Sequence, residues 1–439
     1  MSEFIVKGGV PLYGSVRVGG AKNASYKLMI AALMADSPSR ILNFSHISDV
    51  VLVEKMINSL GAVAAQVGER AYKVDPAGMH QPTLDQQFGG GSRASTLFIP
   101  VLLHKFGKAI VPFPGGDKIG KRPLDRHFAG LEAMGAKVEV KDNQILVTGK
   151  LKGANYRFQK STHTGTETLL MAAVLAEGKT VLENAAEETE IDDLILFLNS
   201  MGSKIQRRPN KVIQIEGVKG LHGAIHKLMP DQNQVVSFAC AALATKGDVI
   251  VENARPQDLH AFLEKLDQAG AGYEVGNFGI RFFYKHPLKA VEVTTAVHPG
   301  FKTDWQPLWV TLMTQASGES ILHESVSENR FAYVEELKEM GANIELFNPK
   351  VENPEEFYNF NLENDRPEYF HAAKITGPTP LKGGEFVIKD LRHGATLLIA
   401  GLMAEGQTIL HDKEQHINRG YEHFDQTLRE LGAEIACSE

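Results

Sequence analysis

The chain has 439 residues, 43% hydrophobic and 23% charged, with a formal net charge of −7. That length is too great for one simple core and predicts two or three domains. The mildly acidic balance argues against nucleic acid or an anionic membrane surface as a partner. Cys240 and Cys437 are the only cysteines. They offer neither a disulfide framework nor a thiolate metal site, and a reducing, cytoplasmic setting is expected. No apolar run approaches a membrane span, and the start MSEFIVKGG lacks a signal peptide's apolar centre.

Taken in chain order, one pattern recurs six times at intervals of roughly 70 residues, the last interval being longer. An apolar helix tail ends in glycine and small residues, and an alternating strand follows. The glycines are Gly61, Gly135, Gly202, Gly270, Gly341 and Gly432. Each fits a helix C-terminus, where a left-handed residue turns the chain into the strand. About two dozen residues earlier stands an Ala-rich helix, a small turn and a strand, as in AAVLAEGKTVLENA and CAALATKGDVIVENA. Helices this apolar are expected to be buried and screened by sheets, three copies to a domain.

The first copy carries GGAKNASYKLMIAALMA, with Lys22 and Asn23 at a helix start. Free N–H groups beside a lysine suit an anion, although the same residues fit an ordinary strand-to-helix turn. In the second copy Arg93 heads an apolar helix, and a short β-like piece at 108–113 leads into a loop over 112–123. That loop holds Gly115, Gly116, Asp117, Lys118, Lys121 and Arg122 between Pro114 and Pro123, with His127 just beyond. Mobile backbone bounded by prolines and dense in cations reads as a lid for an anionic substrate; a solvated loop is the plainer alternative. The third copy opens with Lys160, Thr162, His163, Thr164 and Thr166 at a helix entry, where hydroxyls serve either a phosphate or a cap. The acidic stretch at 185–193 contains Glu190 and reads mostly as a solvated face. Asp304 precedes an apolar helix in the fifth copy and suits a cap or a base. Arg330 stands at another strand-to-helix junction. The polar stretch at 348–374 reads as a partly ordered surface insertion between the fifth and sixth copies. The sixth copy adds Asp390, Arg392 and Arg419.

Several ordered motifs resemble the UDP-N-acetylglucosamine 1-carboxyvinyltransferase family of enolpyruvyl transferases. They are GGAKNA, RAS with the following FG, PGG and RP, GDVIVENA, the PD at Pro230, TD at Thr303, ENRF at Glu328, DLR at Asp390 and NRGYE at Asn418. The resemblance runs from about residue 9 to 432. It implies a two-domain inside-out α/β barrel of the enolpyruvyl transferase type, with six βαβαββ-like units. One domain covers 22–230 and carries the lid; the other joins 1–21 to 231–439, and the site lies in the cleft between them.

The implied reaction moves the enolpyruvyl group of phosphoenolpyruvate to the 3-hydroxyl of UDP-N-acetylglucosamine, at the first committed step of peptidoglycan synthesis. By position in the family, Asp304 is the base and Asp117, Lys22 and Arg392 complete the catalytic set. Lys22, Arg93, Arg122, Arg330, Arg392 and Arg419 form a cationic cradle, bidentate arginines suiting phosphate and carboxylate. Asn23, His127, Lys160, Thr162, His163, Thr164, Glu190 and Asp390 hold the nucleotide sugar or brace the site. Asp117 stands where the family usually has cysteine, THTGT replaces a segment like SVGAT, and Gln232 replaces the arginine after PD. These departures keep two alternatives open: a non-catalytic UDP-sugar-binding paralogue, or an enolpyruvyl transferase with a different acceptor. No metal or redox cofactor is implied, and a monomer is expected.

Overall fold

The computed structural model describes residues 2–88, 93–114 and 123–438. The described residues form two compact units. The split unit contains residues 2–18 and 230–438; the inserted unit contains 19–88, 93–114 and 123–229. Each has its own apolar core.

The repeat seen in sequence is a β-α-β-α-β-β module. In the third copy, Asn155–Arg157 runs parallel to Lys179–Glu183, with the helix His163–Val174 making the crossover. After the helix Thr189–Ser200, Lys204–Arg208 and Val212–Glu216 return antiparallel, and Val212–Glu216 pairs with Lys179–Glu183. Among the described residues, five copies build such a four-stranded sheet. The second has three strands, its first strand being reduced to a parallel bridge between Thr83 and Ile110.

Three strands come from far away in sequence. Ile225–Lys227 is the first strand of the first copy, parallel to Ser39–Leu42. Tyr13–Val16 is the first strand of the fourth, parallel to Asp248–Val251. Ser2–Lys7 enters the sixth copy's sheet between Gln407–Asp412 and Glu434–Ser438, antiparallel to both.

The first helix of a copy is the deeply buried one. All 13 residues of Gln232–Ala244 and all 8 of Gln306–Met313 are buried, and only Met403 of Leu391–Met403 is not. These three helices pack on one another in the split unit. A helix apolar all round has no solvent face to offer, and alanines let the axes approach. Each fully buried Leu, Ile or Val side chain contributes roughly 1.5–3 kcal/mol. The second helices are two-faced: His260–Ala269 buries Phe262, Leu263, Leu266 and Ala269 and leaves its charged residues outside. At the end of every second helix the glycine has positive φ, from 71° at Gly270 to 103° at Gly341. An L side chain there costs about 1 kcal/mol or more, so the recurring glycine is a backbone requirement. No described helix is long and apolar enough to cross a membrane.

Two expectations are corrected. The stretch at 348–374 does not separate the fifth and sixth copies. It lies inside the fifth, because Ala372–Gly377 is that copy's last strand, antiparallel to both Gly318–His323 and Asn343–Phe347. It also packs a small aromatic group of its own, with Tyr358, Phe360 and His371 buried. The acidic stretch at 185–193 is only partly solvated. Glu190 and Asp193 are buried, and Asp193 accepts from the Met229 amide at 3.3 Å and contacts His226 Nε2 at 2.9 Å.

Candidate active site

In the split unit the geometry converges on Asp304. The helix Gln306–Met313 starts from Trp305, one residue after Asp304, and Trp305 makes no side-chain cap. The Asp304 carboxylate turns to two arginines. Arg330 Nη2 donates to Oδ1 at 3.0 Å, and Arg392 Nη2 lies 3.4 Å from Oδ2. The arginine side chains are 4% and 9% exposed, whereas Asp304 is 30% exposed. The carboxylate is thus the open corner of a cluster whose cations are walled in.

Local structure fixes each member. Asp390 caps Leu391–Met403 by accepting from the Arg392 and His393 amides at 2.8 and 3.0 Å. Arg392 Nη1 donates to the Tyr421 hydroxyl at 2.9 Å. Burial alone would lower the Arg392 pKa, but Asp304, Tyr421 and Asp231 together outweigh it and hold the guanidinium cationic. Asn233 Nδ2 lies 3.5 Å from Asp304 Oδ2, and its Oδ1 accepts from Trp305 Nε1 at 2.9 Å. Ahead of Arg330, the fully buried Glu324 accepts from Thr303 Oγ1 at 2.9 Å and from the Val326 and Ser327 amides at 2.8 and 3.0 Å. Burial pushes its carboxyl up in spite of those bonds. Arg419 ends a separate turn, Ile417–Arg419, in which Asp412 accepts from the His416 and Ile417 amides at 2.7 and 3.0 Å.

The inserted unit arranges its charges differently. Lys22 opens the helix Lys22–Ala32 with Nζ 3.0 Å from Asp49 Oδ2; Asn23 follows, half-buried. Thr162 caps His163–Val174 by accepting from the Gly165 amide at 3.3 Å. Thr164 Oγ1 lies 3.0 Å from Nε2 of the buried His127. Burial pulls the His127 pKa down to about 3, and the charges of Arg93 and Arg126 add to it. Arg93 begins the turn Arg93–Leu97. Lys160 is half-buried in the turn before the Thr162 cap, and Glu190 is buried in the first turn of Thr189–Ser200.

Deeper in the same unit Lys27, Glu167 and His163 meet. Lys27 Nζ donates to Glu167 Oε1 at 2.7 Å and lies 3.1 Å from His163 Nε2, which is itself 3.1 Å from Glu167 Oε1. Burial works against a charged His163, yet Glu167 and Glu188 overcome it and the opposing Lys27, so its pKa is pushed up. Asp117 and Arg122, singled out from sequence, lie outside the described residues.

The sequence pattern of the family described as EPSP synthase (3-phosphoshikimate 1-carboxyvinyltransferase) matches residues 6–428. The UDP-N-acetylglucosamine 1-carboxyvinyltransferase of Koribacter versatilis is 38% identical over 439 residues, covering 99% of this chain and 96% of that one. Its namesake from Pseudoalteromonas atlantica is 39% identical over 438 residues, covering 99% of each. This chain belongs to the UDP-N-acetylglucosamine 1-carboxyvinyltransferase family. Solved structures show the same enolpyruvyl transferase fold at lower identity. The enolpyruvyl transferase NikO from Streptomyces tendae superposes with a TM-score of 0.84 at 23% identity, over 100% of this chain and 99% of that one. EPSP synthase from Acinetobacter baumannii gives 0.74 at 19%, over 100% of both. The fold expected from sequence, two domains of repeated βαβαββ modules, is the fold observed.

Within this enolpyruvyl transferase, sequence reasoning singled out Asp304, Arg330, Arg392 and Asp390, which the fold brings together. It missed Tyr421, Asn233 and Glu324 around them, and Lys27 and Glu167 in the inserted unit. Lys27 and Glu167 did leave a signal. SYKLMIAALM and TETLLMAAVL each put one long charged residue in a run otherwise suited to full burial, and a buried charge requires a partner.

Proposed function

We propose that this enolpyruvyl transferase moves the enolpyruvyl group of phosphoenolpyruvate to the 3-hydroxyl of UDP-N-acetylglucosamine and releases phosphate, opening peptidoglycan synthesis. The observation that carries this is the near-full-length identity of 38–39% to enzymes of that name. The hydroxyl oxygen bonds to C2 of phosphoenolpyruvate while the methylene carbon gains a proton, giving a tetrahedral ketal. Loss of phosphate and of a methyl proton then gives the vinyl ether.

Each step needs a base, an acid and fixed cations. Asp304 is the proposed base: it is the open member of its cluster and is flanked by Arg330 and Arg392. Those arginines, with Arg419, Lys22, Arg93 and Arg122, are proposed to hold phosphate and carboxylate. Asp117 is the proposed proton donor. Asn23, His127, Lys160, Thr162, His163, Thr164 and Glu190 are proposed to hold or brace the nucleotide sugar, and Asp390 braces Arg392. Both substrates are phosphorylated metabolites, and a cytoplasmic setting belongs to the same proposal.

Phosphate release tests the reading, with phosphoenolpyruvate and either UDP-N-acetylglucosamine or 3-phosphoshikimate as acceptor. Turnover with the nucleotide sugar, lost for the most part in Asp117→Ala, is expected. Turnover with 3-phosphoshikimate alone would replace the acceptor, and nucleotide-sugar binding without phosphate release would leave only a binding protein.

A further inference from the structure

Around Arg392 and Asp304 the hydrogen bonds close into a ring. Arg392 Nη1 donates to Tyr421 Oη at 2.9 Å. Tyr421 Oη and Ser237 Oγ are 2.8 Å apart, and Ser237 Oγ donates to the Asn233 carbonyl at 2.9 Å. Asn233 Nδ2 reaches Asp304 Oδ2 at 3.5 Å, and Arg392 Nη2 meets the same oxygen at 3.4 Å.

The proton directions follow from the chemistry. Guanidinium has donors only, so Tyr421 accepts from Arg392. The Ser237 proton goes to the Asn233 carbonyl, so Tyr421 donates its own proton to Ser237. Burial pushes the Tyr421 phenol up and keeps that proton in place. Tyr421 is 1% exposed and stacks on Phe424 with ring centroids 4.5 Å apart, so its hydroxyl has little room to move.

We infer that Tyr421, acting with Ser237 and Asn233, is a positioning residue that holds Arg392 in register with Asp304. The inference rests on the proposed enolpyruvyl transfer and adds to it a group that touches no reacting atom. With Nη1 tied to Tyr421 and Nη2 near Asp304, the guanidinium plane is fixed and its remaining N–H groups keep one direction. Without the hydroxyl, Arg392 keeps its charge and its ion pair but loses the second point that defines its plane.

Tyr421→Phe tests this, because it keeps the ring and its stack and removes only the hydroxyl. Steady-state phosphate release should show kcat reduced roughly 10- to 100-fold, as for a small misplacement of a catalytic group. KM for both substrates should change less than about threefold. In an Arg392→Lys background, adding Tyr421→Phe should lower kcat by less than about threefold more, because its effect runs through the guanidinium.

An equal loss in both backgrounds, or an unchanged kcat in Tyr421→Phe, would overturn the inference. If Tyr421→Phe fails to fold, Ser237→Ala breaks the ring one link further on; it should lower kcat without raising KM, and an unchanged kcat there would also overturn it. A wild-type protein releasing no phosphate with either acceptor would instead remove the reaction on which the inference rests.

Discussion

Asp304 in the split unit is 30% exposed and faces two buried arginines, whereas Glu167 in the inserted unit is 0% exposed and faces a buried lysine and a histidine. Both clusters set one carboxylate against two nitrogen bases, and they differ in which member meets solvent. At Asp304 the anion is the accessible group and the cations form its wall, as the proposed base requires. At Glu167 the anion is sealed, and only His163 keeps partial exposure, 24% of its side chain. An ion pair of that kind is a structural commitment: breaking it leaves an uncompensated charge in the core. Residue types alone would rank the two sites together, and exposure separates the proposed base from the sealed carboxylate.

The sharpest way to break that contrast is to neutralise each carboxylate and compare activity with stability. Asp304→Asn should lower phosphate release about 10²- to 10⁴-fold, the usual scale for a lost general base. Glu167→Gln should act on folding instead, lowering stability in chemical denaturation by about 3–5 kcal/mol as Lys27 is left buried without its anion. The double variant Lys27→Met with Glu167→Gln should recover most of that loss, because a neutral pair of similar volume removes the stranded charge. A double variant as unstable as Glu167→Gln alone would show that packing, not charge, sets the penalty.

A pH series sharpens the comparison further. His127 has its pKa pulled from 6.5 to about 3 in the folded protein. Between those values the unfolded imidazole takes up a proton that the buried one refuses. Stability contributed here is therefore present above pH 6.5 and lost as pH falls toward 3. Denaturation midpoints measured across that window should fall less steeply in His127→Gln than in wild type; parallel slopes would contradict the neutral buried imidazole. The smallest effect concerns the cap under Arg392. Asp390→Ala should remove about 1 kcal/mol of stability, with activity falling beyond what that loss explains if the cap also sets the Arg392 backbone.

The repeat was legible in the sequence because its cause is local. Six glycines at helix ends answer a demand for positive φ that other residues meet at a penalty, and all-round apolar helices announce their own burial. What was not legible depends on distant segments. Ser2–Lys7 pairs with strands near the far end of the chain, and nothing in SEFIVK names those partners. The fifth copy looked finished at Asn343–Phe347 because its last strand comes only after a long insertion. Lys27 with Glu167, and Arg392 with Tyr421, depend on which helix face turns to which neighbour. Periodicity can flag a charge in an apolar run, but the fold alone assigns its partner.

Asp304, open between two buried arginines, is the proposed base for enolpyruvyl transfer to a nucleotide sugar. The most direct test is phosphate release from phosphoenolpyruvate and UDP-N-acetylglucosamine by wild type and Asp304→Asn, with nucleotide-sugar binding measured on both. Robust wild-type turnover, a loss of about 10²-fold or more in the variant and retained binding are the expected result. An Asp304→Asn variant that turns over at the wild-type rate would contradict it.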